Sequence, residues 1–462
     1  MSTVTTGPGK VDEATHREIE RVFALQRDYR WTAKNTTADH RKAMLSRLKD
    51  AVLQHADDAR DALYADLGKG PEEPMMQEIL HVLGDIEETL AHLDEWMQPV
   101  EVEPTGPLTA PGSKAEIVYE GRGVCLLFGP WNFPYQLVLA PLVPIIAAGN
   151  TAIVKPNELT PATSAVVATI IREAFEEHEV AVFEGGVPLA EALLELPVDH
   201  IFFTGSPKVG QAVMTAAAKH LASITLELGG KCPAIIDETT DLAQAAAQVA
   251  FGKHYNSGQI CLSPDHVWVK EELRDDFVEH YLDWVRRNLY TEDGEFNPAA
   301  MAHMIDKRNF ERVRQYIEDA EQRGAKVVGT GKSNPDALVI EPTVLLDVPL
   351  DADVMRDEIF GPVLPVLTFN DADEITSHVN SGGKPLAMYL FSQDDDFVQT
   401  VLSRTSSGGV TVNGWVIHWT EKSLPFGGVG TSGYGRYHGY HGFKELSHER
   451  SVVKQPDIYP PY

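Results

Sequence analysis

The chain has 462 residues, enough for two or three domains with substantial cores. It carries 68 Asp+Glu against 39 Lys+Arg, and a formal net charge of −29 repels phosphate backbones and anionic lipid, which argues against nucleic-acid or peripheral-membrane binding. Three cysteines, Cys125, Cys232 and Cys261, are too few and too scattered for a disulfide framework or a metal site such as zinc, and they fit a reducing compartment.

Residues 1–10 read as unstructured, with no basic and apolar segments of a secretory signal, so a cytoplasmic location is expected. From about 13 to 100 the apolar residues recur at three- and four-residue spacing, as in ALSRLKDAVLQHADDARDALYADLG, which predicts amphipathic helices. Gly68 and Gly70-Pro71 break that run, and a further helix is predicted over roughly 74–97. A Pro/Gly-rich stretch from Pro99 to Gly112 marks a boundary, followed by a short strand over 115–119. Residues 124–154 are the most apolar, but Gly129, Pro130, Pro134, Pro141 and Pro144 interrupt them, and nothing approaches the ~20 uninterrupted residues a bilayer demands. They read as buried core with a loop in it.

Strands and helices then alternate. Strands are predicted over 151–155, 180–186 and 200–205. The helices between and after them open at Thr160-Pro161, cover 188–196, and run over 206–221 with Ser206 as cap. This β-α-β-α-β order predicts a parallel sheet with right-handed crossovers. A second α/β block follows over 231–411, and the Gly- and aromatic-rich tail from 412 reads as strands and loops.

Four segments could carry chemistry. Asn256-Ser257-Gly258-Gln259-Ile260-Cys261 sets a cysteine near small residues in a loop, where a thiol can be exposed and activated. Glu227 ends the alternating SITLEL strand before Gly229-Gly230. Strand ends of this kind line binding crevices, and partial desolvation between leucines would raise its pKa towards that of a useful base. Asn132 lies between Pro130 and Pro134, so its amide could serve as a rigid oxyanion donor. Phe203-Thr204-Gly205-Ser206 leaves a strand and opens a helix, a placement that suits a diphosphate, although the G-x-G-x-x-G spacing is absent. Taken alone, each segment is also compatible with a plain role: a small buried hydrophobe, a salt-bridged glutamate, a tight turn, a helix start.

Together they form a set. PWNFP (130–134), VKPNE (154–158), FTGS (203–206), LELGGK (226–231), GQIC (258–261), EIFGPV (358–363) and PFGGVGTSGYGR (425–436) follow one another over nearly the whole chain, and the sequence resembles the aldehyde dehydrogenase superfamily. GQICLSPDH and the ending from VIHWTEKSLPFGG resemble its class 3, fatty-aldehyde and coniferyl-aldehyde branch.

The resemblance implies an NAD(P)-dependent, non-acylating enzyme that oxidises an aldehyde to the acid through a thiohemiacetal and thioester on Cys261. Asn132 would hold the oxyanion, and Glu227 would activate the hydrolytic water. Cofactor contacts carry over to Trp131, Lys155, Glu158, Gly205, Ser206, Gly210, Leu228, Glu358 and Phe360. Glu158 would repel a 2′-phosphate, yet class 3 enzymes with a glutamate there accept NADP, so both cofactors stay open. Phe133, Leu137, Ile260, Leu262, Val416, His418 and Trp419 are the candidate pocket for a medium- or long-chain aliphatic or aromatic aldehyde. His418 is equally compatible with a structural role.

The implied α/β fold has a Rossmann-like cofactor domain (11–100 and 124–229), an α/β catalytic domain (230–411) and a small β element for oligomerisation (101–123 and 412–462). A homodimer is expected, without the C-terminal membrane anchor of mammalian fatty-aldehyde relatives.

Overall fold

The computed structural model describes residues 10–70, 72–106 and 109–457; the expectation of an unstructured start therefore falls almost wholly outside the described residues, as does the extreme C-terminus. The amphipathic run folds as three helices, Glu13–Lys34, Ala38–Gln54 and Ala56–Leu67. Asp12 caps the first, its carboxylate accepting from the Thr15 N–H at 2.7 Å. Gly68 ends the third in the left-handed conformation (φ +67°), and after a break a π-helical turn, Met75–Ile79, leads into Leu80–Trp96.

Glu13–Lys34 packs on one face, and the other helices on the opposite face, of a six-stranded sheet in the order Gly433–Tyr434, Ser223–Glu227, His200–Thr204, Val124–Phe128, Thr151–Lys155, Val180–Val182. Every neighbouring pair is parallel except the first. The predicted β-α-β-α-β order is therefore present, with the strand at 180 shorter than predicted. Apolar side chains fill both faces, as a covered parallel sheet requires.

The apolar 124–154 stretch makes the central strand Val124–Phe128, a turn, the helix Gln136–Ala147, and the strand Thr151–Lys155. Pro141 and Pro144, which interrupt the apolar run, lie inside that helix. Each proline costs about 3 kcal/mol in a helix interior, and burial of all 12 residues offsets that cost. Thr160 also departs from its predicted capping role: its side chain makes no cap bond, and Asp66 accepts from the Ala162 and Thr163 N–H groups in its place.

The second block builds a seven-stranded sheet in the order Lys326–Gly329, Thr343–Leu346, Val363–Phe369, His266–Lys270, Pro233–Ile236, Ala387–Phe391, Gly409–Val412, parallel apart from its first pair. A third, antiparallel sheet joins Val100–Val102, Lys114–Gly121 and Ser447–Lys454. The tail holds more helix than predicted, in Ile417–Thr420 and Gly439–Glu445, and it returns Gly433–Tyr434 to the first sheet beside Glu227. Among the described residues no helix is long and apolar enough to cross a membrane.

Candidate active site

The carboxyl ends of the parallel strands in the first sheet face the loops of the second block, and the predicted site residues gather there. Glu227 is the last residue of its strand and only 4% exposed. Both its carboxylate oxygens are buried without a hydrogen-bond partner. Burial pushes its pKa well above the carboxylate range, opposed by Arg436 and reinforced by Glu445.

Cys261 lies between the helix Leu242–His254 and the strand His266–Lys270, half-buried, whereas Cys125 and Cys232 are fully buried. Its approach is contorted: Asn256, Ser257 and Gly258 all have left-handed backbones, with φ of +48°, +55° and +73°. Gly258 is required there, because a Cβ would come within 2.4 Å of the Gly361 carbonyl oxygen. The loop is tied down on every side. Gln259 donates to the Asn256 and His303 carbonyls and accepts from the Ile305 N–H. The Cys232 thiol donates to the Cys261 carbonyl at 3.2 Å, and the Leu262 carbonyl accepts from the Tyr389 hydroxyl at 2.6 Å and the Trp415 indole at 3.0 Å.

Asn132 donates from its side-chain amide to the Gln259 carbonyl at 3.0 Å, two residues before the thiol. One of its two N–H groups is thereby fixed, leaving the other to donate. Burial raises the Cys261 thiol pKa, as do the neighbouring Glu358 and Glu227 carboxylates, while the backbone N–H groups of Cys261 and Leu262 pull it down.

The cofactor candidates include several with unused polar atoms. Glu358 is pushed up to about 8 by burial and by Asp265, and its Oε1 has no partner. A Cβ on Gly229 would come within 2.2 Å of the Glu358 Oε2, so that approach needs glycine. Lys155 ion-pairs with Glu158 at 2.6 Å at the end of its strand. Ser206 makes no side-chain cap bond at the helix Pro207–Ala218, and Thr204 Oγ1 is also unpartnered. Free N–H groups at a helix start, a close Gly205 turn and a lysine-glutamate pair suit a dinucleotide's diphosphate and ribose. Gly210 packs against Leu228, where a Cβ would lie 2.9 Å from the Leu228 Cδ2, and Trp131 meets Phe360 edge-on at 5.4 Å.

The pocket candidates divide. Val416 and Trp419 are part-exposed, and Ile260 precedes Cys261 in the chain and is buried. Phe133, Leu137 and Leu262 are buried. His418 turns to the strand Gly409–Val412, with Nδ1 2.7 Å from the Thr411 hydroxyl, and burial lowers its pKa to about 4. The sequence reading did not single out Lys69, Glu78, Tyr389, Trp415 or the role of Cys232. No local motif marks them, because their importance comes from contacts across 29 to 153 positions.

A held thiol, a buried carboxylate at a strand end and unused polar atoms at a neighbouring helix start fit a dehydrogenase that oxidises a substrate while it is bonded to the enzyme. The chain belongs to the aldehyde dehydrogenase family, whose model matches residues 5–452. It is 41% identical to a probable coniferyl aldehyde dehydrogenase of Caulobacter vibrioides, covering 92% of this chain and 89% of that protein. It is 38% identical to the dimeric NADP-preferring aldehyde dehydrogenase of Canis lupus familiaris, covering 92% of each. The substrate-bound Staphylococcus aureus AldH superposes with a TM-score of 0.91 at 36% identity, covering 96% of this chain and 95% of that one. The protein is an NAD(P)-dependent aldehyde dehydrogenase of the class 3 and coniferyl-aldehyde branch, and it oxidises aldehydes to carboxylic acids.

Proposed function

We propose that Cys261 is the nucleophile, Asn132 the oxyanion donor and Glu227 the base that hydrolyses the acyl-enzyme. The observation that carries this reading is the convergence on one thiol. The Asn132 amide is bonded to the Gln259 carbonyl two residues away, and the charge of the bare Glu227 carboxylate is felt at the sulfur.

The thiol's raised pKa means that it must give up its proton before it can attack. Attack of the thiolate on the aldehyde carbon places negative charge on oxygen. The free N–H of Asn132 and the Cys261 backbone N–H receive it without reorganising. A nicotinamide cofactor, when bound, would supply the hydride acceptor that the oxidation to a thioester on Cys261 requires. Glu227 then removes a proton from water, and burial, which raises its pKa, makes it a stronger base than an exposed carboxylate. Glu358, Lys155, Glu158 and the 205–210 turn, with Leu228, Trp131 and Phe360, would hold the cofactor.

The substrate reading is a medium- or long-chain aliphatic or an aromatic aldehyde, supported by the apolar candidates Phe133, Leu137, Ile260, Leu262, Val416 and Trp419, which share one apolar cluster with Cys261, and by the coniferyl-aldehyde relative. A homodimer is supported by the uncovered edges of Ser447–Lys454 and Gly409–Val412 and by the dimeric canine relative. A cytoplasmic setting would keep the three free cysteines reduced. The test is absorbance at the reduced-nicotinamide band with NAD or NADP and aldehydes from acetaldehyde to decanal, benzaldehyde and coniferaldehyde. Turnover that rises with chain length or aromaticity is expected. Turnover confined to short polar aldehydes would contradict the substrate reading.

A further inference from the structure

Two opposite charges are fully buried beneath the turn that carries Asn132, and the mechanism just described uses neither. Lys69 and Glu78 are each 0% exposed and form an ion pair between the break after Ala56–Leu67 and the π-helical turn Met75–Ile79. Burying such a pair costs desolvation that its own attraction seldom repays, and apolar residues of similar volume would often stabilise the core at least as well. Its contacts point to a different service.

Every other bond of the pair goes to one turn. Glu78 Oε2 accepts from the Tyr135 N–H at 2.9 Å and the Gln136 N–H at 3.1 Å, while Oε1 takes the Lys69 ammonium. Lys69 Nζ donates onward to the Asn132 backbone carbonyl at 3.2 Å and stands 4.1 Å from the centre of the Phe133 ring. The same Asn132 carbonyl accepts from the Asn256 side chain at 2.9 Å, on the nucleophile's own loop. The peptide carrying the oxyanion donor is therefore clamped from two directions. One clamp is the cysteine loop, and the other is the N-terminal helical segment.

We propose that Lys69 and Glu78 are positioning residues that set the Asn132 amide for the oxyanion. This rests on the reading of Asn132 as the oxyanion donor. Without the ammonium, the Asn132 carbonyl keeps only the Asn256 donor, and the 132–136 turn can rotate about it. A donor misplaced by about 1 Å loses most of its effect on a developing charge, a loss of the order of a hundredfold in rate. Ground-state binding of aldehyde and cofactor does not use that donor in the same way, so the loss belongs in kcat.

The test is a double-mutant cycle. The paired variant Lys69→Met with Glu78→Gln carries the decision: it leaves neither charge of the pair without the other, and the glutamine oxygen still accepts from Tyr135 and Gln136. Lys69→Met and Glu78→Gln alone accompany it. Each is measured on the unaltered enzyme and on Asn132→Ala, for kcat, KM and NADH binding by fluorescence. The expected result is a fall in kcat of about ten- to a hundredfold, KM and NADH affinity within about threefold, and little further loss once Asn132 is already alanine. An unchanged kcat in the paired variant overturns the proposal. So does a full second loss on top of Asn132→Ala, which would mean that the pair acts through other groups. If Asn132→Ala itself turns over normally, the reading of Asn132 fails too, which separates that failure from a failure of the pair alone.

Discussion

The two sides of the active site are built on opposite plans. On the nucleophile side, Gln259, Asn132, Asn256, Cys232, Tyr389 and Trp415 bond one another or the backbone around Cys261, and the buried atoms left without a partner, Asn256 Oδ1, Lys253 Nζ and His254 Nδ1, lie on the segment before the thiol. On the cofactor side, Glu358 Oε1 and Thr204 Oγ1 have no partner, and Glu227, which stands between the two, has none on either oxygen. Buried oxygens without donors are costly in a finished core. The contrast separates a constellation completed by the chain itself from one that bound molecules complete. Preorganisation belongs where charge develops during the reaction, while the cofactor side must release its occupant after each turnover.

Substitutions on the two sides should therefore fail differently. The largest effect is expected from Cys261→Ala, which should abolish aldehyde oxidation while the fluorescence of bound NADH persists; lost NADH binding would mean the two sides are not separable. Asn132→Ala should lower kcat by about a hundred- to a thousandfold, the usual effect of removing one oxyanion donor. Steady-state kinetics should show this with little change in the KM for NAD. On the cofactor side, Gly229→Ala forces a Cβ onto the Glu358 carboxylate, so the KM for NAD should rise about tenfold while a saturated enzyme keeps most of its kcat.

The smallest effect concerns stability. Glu358 holds its proton up to about 8 when folded and loses it near the ordinary glutamate value of 4.5 when unfolded. Between those values the folded chain binds the extra proton, so this group's stabilising contribution declines as pH rises and is lost as pH passes the folded value. Glu358→Gln should flatten that decline in denaturant titrations between pH 5 and 9, and an unchanged slope would mean the group is ionised throughout.

The same contrast explains what could be read from the sequence. Glu227, Cys261 and the Gly205-Ser206 turn sit in segments whose local pattern betrays their placement: a strand end before Gly-Gly, small residues before a cysteine, a strand running into a helix. The parallel order of the first sheet was legible for the same reason. The helix over Gln136–Ala147 was not legible, because Pro141 and Pro144 lie inside it and the burial that offsets their missing donors is a property of the assembled core. Thr160 misled because Asp66, nearly a hundred positions away, supplies the cap. Lys69 was visible only as a residue between two glycines. Its partners lie 9 and 63 positions off, and no local periodicity announces a pairing of that kind.

The central claim is that Glu227 acts after the thioester has formed on Cys261. Stopped-flow absorbance at the reduced-nicotinamide band, using Glu227→Gln at saturating NAD and aldehyde, tests it most directly. The account predicts a burst approaching one NADH per active site, followed by turnover slowed about a hundredfold or more, within the range ascribed to a general base. A variant with no burst would place Glu227 at or before thiolate formation. Unchanged steady turnover would remove it from the mechanism.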